Sequence, residues 1–120
     1  MRTDINILAV DDFPSNLKDM KDILKDVGEL DFYEARNGRE ALTILADVPD
    51  IDVILLDLEM PIMNGYETLG QIKCNDRFRD IPVNIVTSDK SEIRKTLAMG
   101  ANDFLARPYD PEELKLRVSG

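Results

Sequence analysis

Apolar residues gather in five short runs along the chain, and between the runs they recur at intervals of three and four. The runs are Ile5–Val10, Leu30–Ala35, residues 53–56, residues 81–86 and Asp103–Ala106. Each has the length and the branched or aromatic content of a β-strand. Val53-Ile54-Leu55-Leu56 is apolar without alternation, the pattern of a strand covered on both faces, and it ends in Asp57. Leu30–Ala35 is short and mixed, with Phe32 and Tyr33 among acids, and is expected at an edge.

The intervening segments follow a helical period. Leu17, Met20, Ile23, Leu24 and Val27 fall on one side while Lys18, Asp19, Lys21, Asp22, Lys25 and Asp26 take the other, which predicts an amphipathic helix stopping at Gly28. Asn37-Gly38 reads as a turn, and Ala41, Leu42 and Leu45 mark a second helix over residues 39–46. Tyr66, Leu69 and Ile72 mark a third, after a loop rich in breakers. Asp89 with Glu92 three residues on predicts a capping box for a fourth, with Ile93 and Leu97 as its buried stripe and Gly100 as its end. Asp110-Pro111-Glu112-Glu113 opens a fifth: a cap, Pro at the first helical position, Glu at the third. Strands alternating with helices predict an α/β chain with a parallel sheet, helices on both faces and right-handed crossovers.

Composition narrows the chemistry. A chain of 120 residues is enough for one core and one domain. No segment approaches the length needed to cross a bilayer, and residues 1–4 run into the first strand without a targeting core. The one cysteine, Cys74, cannot form an internal disulfide and is expected to be a free thiol, which suits a cytoplasmic location. The absence of histidine excludes Ser-His-Asp triads, His-based acid/base catalysis and most zinc sites. Oxygen-ligated hard cations remain. A formal net charge of -9 argues against direct nucleic-acid binding and points to protein partners.

The candidate site lies at the strand ends. In an open parallel sheet, ligands collect at the carboxyl rim, and there the chain places Asp11 with Asp12, Asp57, Thr87 with Ser88, and Arg107. If the first and third strands are neighbours, three carboxylates converge. Against this stand plainer readings. Paired acids are often a solvated turn or cap, a Thr at a strand end is usually a local backbone cap, and Phe104 is equally a core residue.

Val10-Asp11-Asp12, Leu55-Leu56-Asp57-Leu58-Glu59-Met60-Pro61, Ile85-Val86-Thr87-Ser88, Gly100-Ala101-Asn102-Asp103-Phe104-Leu105 and a basic residue before Pro108 occur in order across the chain. Together they closely resemble the receiver domains of two-component response regulators, of the CheY-like kind. The resemblance implies a flavodoxin-like, doubly wound (βα)5 fold with strand order 2-1-3-4-5. It implies that Asp57 accepts a phosphoryl group from a sensor histidine kinase or phosphotransfer protein, in a reaction dependent on Mg²⁺. It further implies that Asp12, Asp57 and the main-chain carbonyl of Glu59 hold the ion, with Asp11 acting through water. Thr87 is then the switch hydroxyl and Phe104 the aromatic whose rotamer follows it. Glu59 and Asp89, two residues after Asp57 and Thr87, occupy positions that tune dephosphorylation in this family.

One residue departs from the pattern: Arg107 stands where receiver domains carry Lys. Arg is longer, planar and able to bond carboxylates with two nitrogens, so it either neutralises the phosphoryl group or clamps Asp57 and Asp12 and blunts the switch. The Arg107-Pro108 peptide is expected to be cis by the same resemblance. Three functions therefore compete: a phosphorylated switch, a pseudo-receiver that only docks partners, and a small phosphatase with an aspartate nucleophile, for which the chain has no room for a cap domain. The switch is the preferred reading, not a turnover enzyme. Residues 1–120 are expected to form the N-terminal receiver domain of a longer protein with an output domain, without membrane contact, and with homodimerisation through the fourth helix, fifth strand and fifth helix open.

Overall fold

The computed structural model of the chain describes residues 4–58, 60 and 62–119. Its five strands are β1 (Ile5–Val10), β2 (Leu30–Ala35), β3 (Val53–Asp57), β4 (Val83–Thr87) and β5 (Asp103–Ala106). All pair in parallel in the order β2-β1-β3-β4-β5, the flavodoxin-like arrangement expected. The helices are α1 (Pro14–Leu24), α2 (Gly38–Asp47), α3 (Gly65–Lys73), α4 (Ile93–Ala98) and α5 (Pro111–Ser119). Every residue of β3 and β4 is buried, which explains the unbroken apolar run of β3: a strand with helices above and below has no face for polar side chains. At the edge, β2 stays half-exposed.

The two-residue period of the strands sorts the core into two layers. Leu8, Val10, Ile54, Leu56, Val83 and Ile85 face Ala41 and Leu45 of α2 and Leu69 and Ile72 of α3. Ile7, Ala9, Val53, Leu55, Val86 and Leu105 face Leu17, Met20 and Leu24 of α1 and Leu114 of α5. A buried Leu or Ile contributes about 1.5–3 kcal/mol, so these two layers hold the strand ends in place.

Several local expectations are corrected. After α1 the chain makes a 3-10 turn over Lys25–Val27 before Gly28, whose φ of 134° a side chain would not tolerate. Asn37-Gly38 is a helix start and not a turn: the Asn37 side chain accepts a hydrogen bond from Glu40 N at 2.9 Å and Gly38 is the first residue of α2. The fourth strand begins at Val83, because Pro82 has no N–H to give a ladder. The capping box at Asp89 does not form. Asp89 N donates to Thr87 Oγ1, and its carboxylate accepts from Ser91 N, opening a 3-10 turn over Lys90–Glu92. The start of α4 is thereby delayed to Ile93, Thr96 turns inward, and Leu97, about 100° further round the helix, is 40% exposed instead of buried.

Candidate functional site

The β1–β3 register sets Val10 beside Leu56, so the next residues, Asp11 and Asp57, leave neighbouring strands side by side. One more ladder-like bond, Asp11 N to Ala35 O at 2.9 Å, carries the extended backbone of β1 through Asp11. The alternation that buries Ile7 and Ala9 toward α1 turns Asp11 the same way, and Asp57 shares that phase with Val53 and Leu55. Asp12 follows with the opposite phase and lines the cleft at the rim. One carboxylate oxygen from each of Asp11, Asp12 and Asp57 lies within 4.8 Å of the others, so the convergence expected from the sequence is present.

The three acids are held differently. Asp11 is fully buried: Phe13 N donates to its Oδ1 at 2.9 Å, Asn16 Nδ2 donates to its Oδ2 at 3.2 Å, and Arg107 Nη2 donates to the same Oδ2. Asp57 is 7% exposed at the floor of a cleft of about 490 Å³, lined also by Asp12, Met60, Thr87, Ser88 and Arg107. Asp12 carries a buried Oδ1 without a hydrogen-bond partner among the described residues. A buried carboxylate oxygen left without a donor is costly unless a cation serves it. With donors that are all oxygen, the trio suits a hard divalent ion such as Mg²⁺.

Arg107 arrives at the end of β5, where its N donates to Thr87 O at 2.8 Å and its peptide bond to Pro108 is cis, as expected. It shares the phase of Leu105, so its guanidinium lies on the α1 side, bonded to Asp11 and with Nη1 3.7 Å from Asp57 Oδ1. The expected clamp on Asp57 and Asp12 is thus corrected to Asp57 and Asp11; Asp12 belongs to the other phase. Thr87 is buried, and its hydroxyl accepts from Asp89 N at 3.1 Å, a local bond of the plain kind weighed above. Phe104 pairs with Ile85, two residues before Thr87 on the neighbouring strand, and packs half-buried against the α2–α3 layer. The Glu59 carbonyl lies outside the described residues. Cys74 is an exposed free thiol away from the cleft, as expected.

Asn16, which is not among the strand-end residues picked out by the sequence, also holds Asp11 through its side chain. Its place in the first turn of α1, five residues beyond the strand-end acid, is the signal that points to it.

A profile described as the response regulator receiver domain matches residues 7–119. The chain belongs to the response regulator receiver domain family. It is 32% identical over 116 residues to a chemotaxis protein CheY homolog of Campylobacter jejuni, covering 95% of this chain and 89% of that protein. The solved structure of the chemotaxis response regulator CheY4 of Vibrio cholerae superposes with a TM-score of 0.82 at 33% identity, covering 93% of each chain. A probable cyclic di-GMP phosphodiesterase of Vibrio cholerae is 40% identical over 117 residues, which are 93% of this chain and 25% of that protein. Receiver domains are signalling modules whose role depends on phosphorylation, and they bind Mg²⁺ at an acidic pocket of the kind formed by Asp11, Asp12 and Asp57. Among the described residues no helix is long and apolar enough to cross a membrane.

Proposed function

We propose that this chain is a phosphorylation-driven switch in which Asp57 accepts a phosphoryl group from the phosphohistidine of a sensor histidine kinase or phosphotransfer protein. An Asp57 carboxylate oxygen bonds to phosphorus, the phosphorus–nitrogen bond to the donor imidazole breaks, and the nitrogen keeps the electron pair. The observation that carries this reading is the meeting of three carboxylates around a cleft, one of them with a buried oxygen that no described residue satisfies. Asp12, Asp57 and the Glu59 carbonyl are the proposed Mg²⁺ ligands, with Asp11 acting through water. When bound, the ion neutralises charge on the phosphoryl oxygens and the acceptor. Thr87 gives up its bond to Asp89 N and turns its hydroxyl to a phosphoryl oxygen, while Phe104 follows by changing rotamer. The readout face is then α4, β5 and α5, where a partner, a second copy or an output domain following residue 120 would sense the change. The setting is the cytoplasm, with no direct contact to nucleic acid.

The test is incubation with Mg²⁺ and acetyl phosphate, followed by mass spectrometry. The expected result is one phosphoryl mass gain, located at Asp57 and abolished by Asp57→Asn. A pseudo-receiver is the second reading, favoured by the contact of Arg107 with two of the three acids. Under that reading no mass gain occurs in the wild type. Release of many phosphates per protein molecule from phosphate esters would support a phosphatase instead.

A further inference from the structure

Asp11 is nearly saturated before any ion is considered. A carboxylate offers about four acceptor positions, and the Phe13 amide, the Asn16 amide and the Arg107 guanidinium take three of those on Asp11. The guanidinium reaches both acids of the α1-side pair because it is a planar fork: Nη2 lies on Asp11 while Nη1 stands 3.7 Å from Asp57 Oδ1. Its side chain is only 22% exposed, so the contact is sheltered from the screening that makes surface pairs weak.

We propose that Arg107 is an internal competitor for the metal site, a latch that must leave Asp11 before that carboxylate can serve the ion's hydration shell. This rests on the acid trio being a Mg²⁺ site, and adds that the site is negatively regulated by the chain's own cation. Arg107 is a positioning residue here, acting on the ion through Asp11 and Asp57. A latch closed about nine-tenths of the time weakens apparent Mg²⁺ affinity about tenfold, because only the open fraction is competent to bind. A lysine at this position keeps the charge but has one nitrogen on a flexible stem. Its ammonium can also donate to two carboxylates, but it is more strongly hydrated and loses more rotamer freedom per bond than the preorganised fork, so it leaves Asp11 free for more of the time.

Titration calorimetry of Mg²⁺ into the wild type, Arg107→Lys and Arg107→Ala separates a latch from simple charge repulsion. A latch predicts that Arg107→Lys binds Mg²⁺ about tenfold more tightly than the wild type, although the net charge is unchanged. Equal affinity of the wild type and Arg107→Lys, with or without tighter binding by Arg107→Ala, overturns the latch and leaves the metal site standing. No uptake by any of the three overturns both. A measurement on the wild type alone guards against a variant that fails to fold: the Arg107 Nε–Hε resonance is expected to shift as Mg²⁺ saturates the protein. A resonance unmoved at saturation likewise overturns the latch.

Discussion

Gly65 lies against the backbone that carries Asp57. Its N donates to Leu58 O at 2.9 Å, and a Cβ there would collide with the Asp57 carbonyl oxygen and Leu58 Cα, neither of which is the loose end of a side chain. Gly65→Ala is expected to cost about 1–3 kcal/mol of stability by overpacking, read as a lower urea midpoint, and to slow phosphoryl uptake because the shift falls on the acceptor strand. Unchanged stability would mean that the start of α3 moves away without resistance. The need for glycine at this spot is not written in the local sequence, where Asn64-Gly65 reads only as a breaker; it arises from a contact across the β3–α3 loop. Arg107 teaches the same lesson. Its arrival among the acids was legible from its place at a strand end, but its choice of Asp11 over Asp12 depends on which phase of β1 faces α1. Adjacent residues on an extended chain point to opposite faces, so an error of one position exchanges the partner.

The elements were legible where burial enforces a period and illegible where a single local bond decides. β1 and β3, covered on both faces, announce themselves by composition, and the stripes of α1, α2 and α3 hold the positions that their spacing predicts. The start of α4 turned instead on whether the Asp89 amide bonds Glu92 or Thr87, a choice between two short-range partners that periodicity does not contain. Lys73 is a second such case, since nothing in the periodicity of the chain marks it out. Its Nζ donates to Arg79 O at 3.0 Å, Ile81 O at 3.2 Å and Asn102 Oδ1 at 3.3 Å, joining the end of α3 to the chain before β4 and β5. Burial pushes the ammonium pKa down from its usual value, and Asp80 opposes that shift. Lys73→Met keeps the stem and removes the donors, leaving three acceptors short. A loss of about 1–2 kcal/mol is expected in chemical denaturation. A neutral result would place Lys73 among ordinary solvated lysines.

At the scale of the whole molecule, the strand order puts the first crossover on one side of β1 and the next on the other, which opens a crevice at the carboxyl ends of β1 and β3. The fold thereby gathers three acids of a chain with net charge -9 onto one rim. Arg107 offsets the charge of Asp11 and Asp57, and the repulsion left at Asp12 destabilises the protein until a bound cation relieves it. Asp12 isolates the effect, because its buried Oδ1 makes no hydrogen bond to a described residue that a substitution would remove. Asp12→Asn is therefore expected to melt higher than the wild type in EDTA, by the equivalent of about 0.5–2 kcal/mol, as when a residue kept for function is replaced. Added Mg²⁺ should reverse the order. The wild type gains about 1.4 kcal/mol when free Mg²⁺ is ten times its dissociation constant, while the variant, short of one ligand, gains little. Thermal unfolding of both proteins with EDTA and with Mg²⁺ reads all four values. A variant that melts lower in EDTA and still responds fully to Mg²⁺ would make Asp12 a structural cap, and the ion would have to be held without it.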